Sequence, residues 1–263
     1  MRHMTRLLTL ASILIAGNAN GQRPEPLPER LIVSEKPFAS CYDANYKLVG
    51  SMLVRSPILV SPDGNYQAYA ENEAVAYRGG TWAECVNTSK LFVKGAGEKE
   101  FRLAYLEEPR VYNLLSLIGL VDWSPDSHYL FAELVVSQWG SDWGGSSPLL
   151  YNAWNGVFSP QDFVSTALSI HLGHDCYYRV QSLGFAPDGG VVLKIQPWFD
   201  EEGIMDPVSC VKKEGLWILH NGLAPLADAY KVERYGHLLR DAGTAHRGRQ
   251  SHPGGAVEDR KTP

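Results

Sequence analysis

The chain has 263 residues, 44% hydrophobic, 20% charged and 11% aromatic, the composition of a globular protein rather than a disordered or fibrous one. Its 24 basic and 29 acidic side chains give a net charge of −5, so no basic excess exists to neutralise phosphates, which counts against roles on nucleic acid or an anionic membrane. The 25 Gly and 16 Pro suit a chain full of tight turns rather than a helical bundle.

Residues 1–21 read as a secretion signal. Arg2, His3 and Arg6 form a positive n-region, Leu7 to Ala16 an apolar h-region, and Gly17, Ala19 and Gly21 a small-residue stretch with cleavage expected after Ala19 or Gly21. A spanning helix needs about 20 apolar residues, so this run is too short to remain as an anchor. No cysteine follows it to carry a lipid. The expected product is an exported, acidic protein without stable membrane insertion, its ordered domain spanning residues 22–240.

Three segments then repeat. Ile58-Leu-Val-Ser-Pro-Asp-Gly64, Val121-Asp-Trp-Ser-Pro-Asp-Ser127 and Gly184-Phe-Ala-Pro-Asp-Gly189 place Asp63, Asp126 and Asp188 at intervals of 63 and 62 residues. In each, Pro presets φ for a turn and Asp caps it. Apolar residues precede each turn, and β-rich runs follow it: Tyr66–Ala70, Tyr129–Ala132 and Val191–Ile195. Strand, turn, strand is the local reading. A second anchor comes later in each repeat: Leu91-Phe-Val-Lys-Gly95, Leu150-Tyr-Asn-Ala-Trp-Asn-Gly156 and Leu216-Trp-Ile-Leu-His-Asn-Gly222. Asn155-Gly156 and Asn221-Gly222 are hairpin turns by type. Each repeat therefore predicts four short antiparallel strands, with Trp123, Trp154 and Trp217 in strands and in the core. Between the second and third repeats, Ser159-Pro-Gln-Asp162 followed by Phe163, Ala167, Leu168 and His171 predicts an N-capped helix. Residues 241–263, rich in Gly, His, Arg and Pro, read as a disordered tail.

The Pro-Asp turns with their later Leu-aromatic strands resemble the TolB-type β-propeller repeat, also found in propeller domains of prolyl oligopeptidase-like enzymes, over roughly residues 55 to 230. The resemblance implies an all-β fold, a small propeller-like array of four-stranded antiparallel blades. Ser127 stands where the pattern has Gly, and Ala186 where it has Ser. Propellers close with about four to eight blades. Three repeats therefore leave three solutions: a degenerate fourth blade built by both ends of the chain, which is favoured, an open arc, or a homodimer closing a six-bladed ring.

Four cysteines in an exported chain suggest two disulfides. Their spacing lacks the close pairs of a structural zinc site. Repeat position pairs them: Cys85 and Cys210 each lie seven residues before a strand aromatic, while Cys41 and Cys176 each precede a Pro-Asp turn. The expected bonds are Cys41–Cys85 and Cys176–Cys210.

For function, no G-x-S-x-G elbow and no Walker or Rossmann glycine pattern is present, which removes serine-hydrolase and nucleotide chemistry. No cofactor is expected. The loops between second and third strands carry Tyr77 and Trp82, Trp139 and Trp143, and Trp198 with Phe199; Asp142 and Asp200 stand beside them, and glycines such as Gly79, Gly80 and Gly140 keep them adaptable. Equivalent propeller loops share a face, so Trp82, Trp139, Asp142, Trp143, Trp198 and Phe199 read as a binding surface for protein or glycan in a non-catalytic module. The alternative is a metal- or carboxylate-dependent hydrolase of an extracytoplasmic polymer. It would use His171, His174 and Asp175 as ligands, or acidic loops holding Glu71, Glu73, Asp142, Asp200, Glu201, Glu202 and Asp206.

Overall fold

The computed structural model describes residues 29–35, 38–45, 47–78, 83–108, 114–138, 144–160, 162–172, 178–197, 213–227 and 229–239. Of these, 58% lie in strands and 6% in helix, so the expected all-β class is correct. The chain enters as β1 (Glu29–Val33), passes a segment at 38–45, and begins a first antiparallel meander: β2 (Ser51–Arg55) and β3 (Ile58–Val60), then β4 (Gln67–Arg78), β5 (Ala83–Lys94) and β6 (Arg102–Glu107). β2 and β3 both pair with β4 and are one strand broken at Ser56-Pro57. Pro57 has no N–H to give the ladder. The Ser56 hydroxyl repairs the gap, accepting the Ala70 N–H at 2.9 Å and donating to the Pro57 carbonyl at 2.9 Å.

A second meander follows as β7 (Leu114–Trp123), β8 (Tyr129–Gln138), β9 (Gly144–Asn152) and β10 (Val157–Phe158). Then comes α1 (Phe163–Leu172), and a third meander of β11 (Tyr178–Phe185), β12 (Val191–Pro197), β13 (Gly215–Leu219) and β14 (Leu223–Pro225). The three sequence repeats are thus three four-stranded units. The helix starts where the sequence placed it, with the Asp162 carbonyl accepting the Thr166 N–H at 2.7 Å. It buries Val164, Leu168 and Leu172 against Phe185, Leu193 and Leu223 of the third sheet and Phe131 of the second.

The Pro-Asp turns are built alike. Ser61 and Ser124 each donate their backbone N–H to the carbonyl of the residue five positions on (Tyr66 and Tyr129), and each hydroxyl accepts that residue's N–H, at 2.9 and 2.8 Å. The same hydroxyls donate to Asp63 and Asp126 at 2.6 Å. In the third turn Ala186 has no hydroxyl, and the loop closes one residue earlier, Ala186 N–H to Gly190 carbonyl at 2.8 Å. Ser127 takes the glycine's conformation at φ 64° while its buried hydroxyl accepts the Asp63 N–H at 3.1 Å. The residue that departs from the repeat therefore ties the first turn to the second.

Adjacent sheets pack face to face. β4 alternates Ala68, Ala70, Asn72, Ala74 and Ala76 on one face, all fully buried, and the short side chains let the next sheet approach closely. Leu59, Leu91 and Val93 of the first sheet meet Ile118, Trp123, Leu130 and Tyr151 of the second. Polar side chains bridge the seams. Asn72 accepts the Ile118 N–H at 2.9 Å and donates to its carbonyl at 3.2 Å, and Trp123 Nε1 donates to the Leu59 carbonyl at 3.1 Å.

The two ends of the chain do not make a separate fourth sheet among the described residues. β1 joins the first sheet in parallel beside β2, and β15 (His237–Leu239) joins it antiparallel beside β3. The break at Ser56-Pro57 divides one sheet edge into two short templates, and each end takes one. The returning segment is fixed by Asp122, 2% exposed, whose carboxylate accepts N–H groups from Trp123, Tyr235 and Gly236 at 2.8, 2.9 and 2.8 Å. Gly236 lets the segment approach this closely, since a Cβ would sit 3.0 Å from Asp122 Oδ1, Trp123 Cδ1 and the Val60 carbonyl, tighter than ordinary contact.

Cys41 and Cys85 are joined, as expected, closing a separation of 44 residues and holding the 38–45 segment on β5. Asn87 on the same strand donates to the Ala39 carbonyl at 2.9 Å. Cys176 and Cys210 lie outside the described residues. Two expectations are corrected. Trp123 is fully buried and Trp217 half-buried, but Trp154 is 79% exposed, because it lies in the β9–β10 turn rather than in a strand, with the His128 ring beside its own. Glu71 and Glu73 are not in a loop. They sit inside β4, where cross-strand Arg55 and Lys90 pair with them at 2.8 and 3.3 Å.

Candidate functional site

The aromatic loops are rooted in strands whose ends can be followed. The Asp63–Ser127 contact brings the first turns of sheets one and two together. Antiparallel strands alternate direction, so Arg78, Ala83, Gln138 and Gly144, which bound the next connections, lie at the opposite end. On the other seam, the Ser146 hydroxyl donates to the Val180 carbonyl at 2.6 Å. Ser146 is two residues into β9, and Val180 pairs with Ile195, two residues before the end of β12. The roots of all three connections thus share one end of the array. Tyr77 is part of β4 rather than of a loop. Trp82, Trp139, Asp142, Trp143, Trp198 and Phe199 lie outside the described residues, as do Asp200, Glu201, Glu202 and Asp206.

Of the proposed metal ligands, His171 is described and stands exposed in the last turn of α1, its Nε2 3.6 Å from where a Cβ on Gly222 would be. His174 and Asp175 lie outside the described residues, among which no group of three His, Cys, Asp or Glu side chains converges.

A second region was missed by the sequence reading. Three adjoining cavities of about 510, 110 and 320 Å³ run along the first strands of the sheets, and Arg234 lines all three. The largest opens at the Ser56-Pro57 break, where Arg55, His237 and Glu35 face apolar Val33 and Leu238. Leu120 and Val121 of β7 line both smaller cavities. The third lies at the seam of sheets two and three, around Glu133 and Ser182.

Glu133 is the only charged residue of β8 and stands opposite Gly119 in register, with open space where a Gly119 Cβ would be. Its Oε1 accepts the Ser182 N–H at 3.2 Å. This is the same kind of link that Asn72 makes across the first seam, with an acceptor-only group in place of an amide. Burial pushes the Glu133 carboxyl up, opposed by the Ser182 N–H and the hydroxyls of Ser146 and Ser182. Ser182 Oγ is buried without a hydrogen bond of good geometry. Asp122 is likewise pushed up by burial, with its three N–H donors and the Arg234 charge pulling the other way. A lone carboxylate in an otherwise apolar strand was the legible signal for this region. Arg234 had none, since it reaches the groove only through the returning C-terminal segment.

Comparison with protein-family models, curated proteins and solved structures finds no match to this chain.

Proposed function

We propose that this protein is an exported, non-catalytic binding module, a small TolB-like propeller array that presents Trp82, Trp139, Asp142, Trp143, Trp198 and Phe199 on one face to a protein or glycan. The observation that carries this reading is the common end from which the three second-to-third connections spring. Tryptophan supplies contact area and one donor at low entropic cost, and neighbouring carboxylates add direction. Export is supported by the n-region and h-region of residues 1–21, and by a disulfide that suits an oxidising compartment. Among the described residues no helix is long and apolar enough to cross a membrane.

The test is display of the purified, oxidised protein on glycan and peptide arrays beside Trp82→Ala, Trp143→Ala and Trp198→Ala. A ligand class held by the parent and lost by the variants is the expected result. An array without signal, or equal signal from every variant, overturns the proposal.

A further inference from the structure

The groove along the first strands is chemically unlike the aromatic face. At the seam of sheets two and three it offers a carboxylate, Glu133, with one oxygen engaged by the Ser182 N–H and the hydroxyls of Ser146 and Ser182 beside it, the latter buried without a hydrogen bond of good geometry. Leu117, Leu120 and Val135 supply apolar wall. Across the same cavity stands Arg234, exposed and with no carboxylate within 4 Å among the described residues; the Asp122 carboxylate that feels its charge is already taken by three N–H donors, and Glu35 lines the two neighbouring cavities. A carboxylate and a guanidinium thus line one cavity of about 320 Å³, within the lower part of the range that small ligands occupy, about 300–1,000 Å³.

Opposite charges at one site that do not neutralise each other select a ligand bearing both. A glycan or a fatty acid would leave Glu133 facing no cation, and a polyamine would set a second cation against Arg234; either mismatch is penalised when desolvated. A single amino acid carries both charges but covers little of the wall. The cavity continues past Leu120 and Val121 toward Arg55 and His237, so side chains of a longer ligand have somewhere to lie.

We propose that this groove binds a short apolar peptide with free termini, its ammonium group on Glu133 and the Ser182 hydroxyl, and its carboxylate on Arg234. Gly119 is part of the site, because a side chain there would occupy the space the ammonium enters from β7. Arg234 makes the site depend on closure, since it is delivered by the segment that Asp122 holds at Tyr235 and Gly236.

The experiment is calorimetric titration of the folded, oxidised protein with the dipeptide Leu-Leu, its N-acetyl form and its C-terminal amide. Glu133→Gln keeps an oxygen for the Ser182 N–H, and Arg234→Ala changes an exposed side chain, so both should retain the parent's circular dichroism and neither should melt below the parent. Expected is binding of Leu-Leu that falls about tenfold or more with acetylation or with Glu133→Gln, each of which removes a charge-assisted contact. Acetylation should then cost nothing further in Glu133→Gln, and amidation nothing further in Arg234→Ala. Trp143→Ala should bind Leu-Leu as the parent does, which separates this site from the aromatic face. Absence of binding at millimolar peptide, or equal binding of the blocked forms, overturns the proposal.

Discussion

Asp122 holds the returning end of the chain on the first sheet, and its replacement gives a graded prediction. Oδ1 accepts from Trp123 and Gly236, and Oδ2 from Tyr235. A buried N–H left without a partner costs about 1–3 kcal/mol. Asp122→Ala strips all three, a gross loss of about 6 kcal/mol, and recovers part of it because a buried carboxylate no longer has to be desolvated. A net loss near 4 kcal/mol is expected. Asp122→Asn can keep its amide oxygen on the two donors that share Oδ1 and turns its NH₂ toward Tyr235, so one donor is lost and the cost is about 1–2 kcal/mol. Urea unfolding of the three proteins measures the ladder, and hydrogen exchange at residues 235–239 should accelerate in the same order. If Asp122→Ala unfolds within about 0.5 kcal/mol of the parent, the span of ordinary surface changes, the carboxylate does not hold the closure.

Three further outcomes follow from the same geometry. Because burial raises the Glu133 carboxyl above its ordinary value of 4.5, the folded form holds that proton more tightly, and stability is lost as pH rises through the raised value. Glu133→Gln should therefore gain on the parent between pH 4 and pH 7 in urea titrations, and a difference independent of pH would refute the assignment. Replacing Cys41 and Cys85 together by Ala should cost about 4 kcal/mol in the loop-entropy model for a 44-residue separation, and unchanged unfolding under reducing and oxidising conditions would contradict it. Trp123→Phe should cost about 1–3 kcal/mol, by cavity and by loss of the Leu59 hydrogen bond. Trp154→Ala should stay within about 0.5 kcal/mol, and reversal of that order by thermal melts would place the two rings wrongly.

What was legible in the sequence was local and periodic. The Pro-Asp turns, their 62–63-residue spacing and the later hairpins announce three four-stranded units because turn chemistry is written in adjacent residues. Asp162 and the apolar positions after it mark the helix for the same reason. The Cys41–Cys85 bond was reached through repeat position rather than through the residues around the cysteines. Trp154 looks like a strand residue in the sequence because Asn-Ala-Trp-Asn-Gly continues an alternating pattern into the turn itself, so period alone carries the strand two residues too far. Glu71 and Glu73 were assigned to a loop because charged residues seldom enter a strand this deeply, and only the partners Arg55 and Lys90, 16 and 17 residues away, make their place intelligible. The destination of the two ends was not legible. It depends on the sheet edge that Pro57 divides and on Asp122 meeting Tyr235 and Gly236 from 113 and 114 residues away. The groove lined by Arg234 is hidden with it, since it exists only once the chain has closed.

The measurement that bears most directly on the account is the affinity of an array-selected ligand for Trp82→Ala, Trp143→Ala and Trp198→Ala, each determined with the parent's fold verified. One variant falls in each repeat. A single face built by three equivalent connections predicts that every one of them weakens binding about tenfold or more, the cost of removing a central aromatic anchor. Loss confined to one variant, with the other two binding as the parent does, would contradict a shared face.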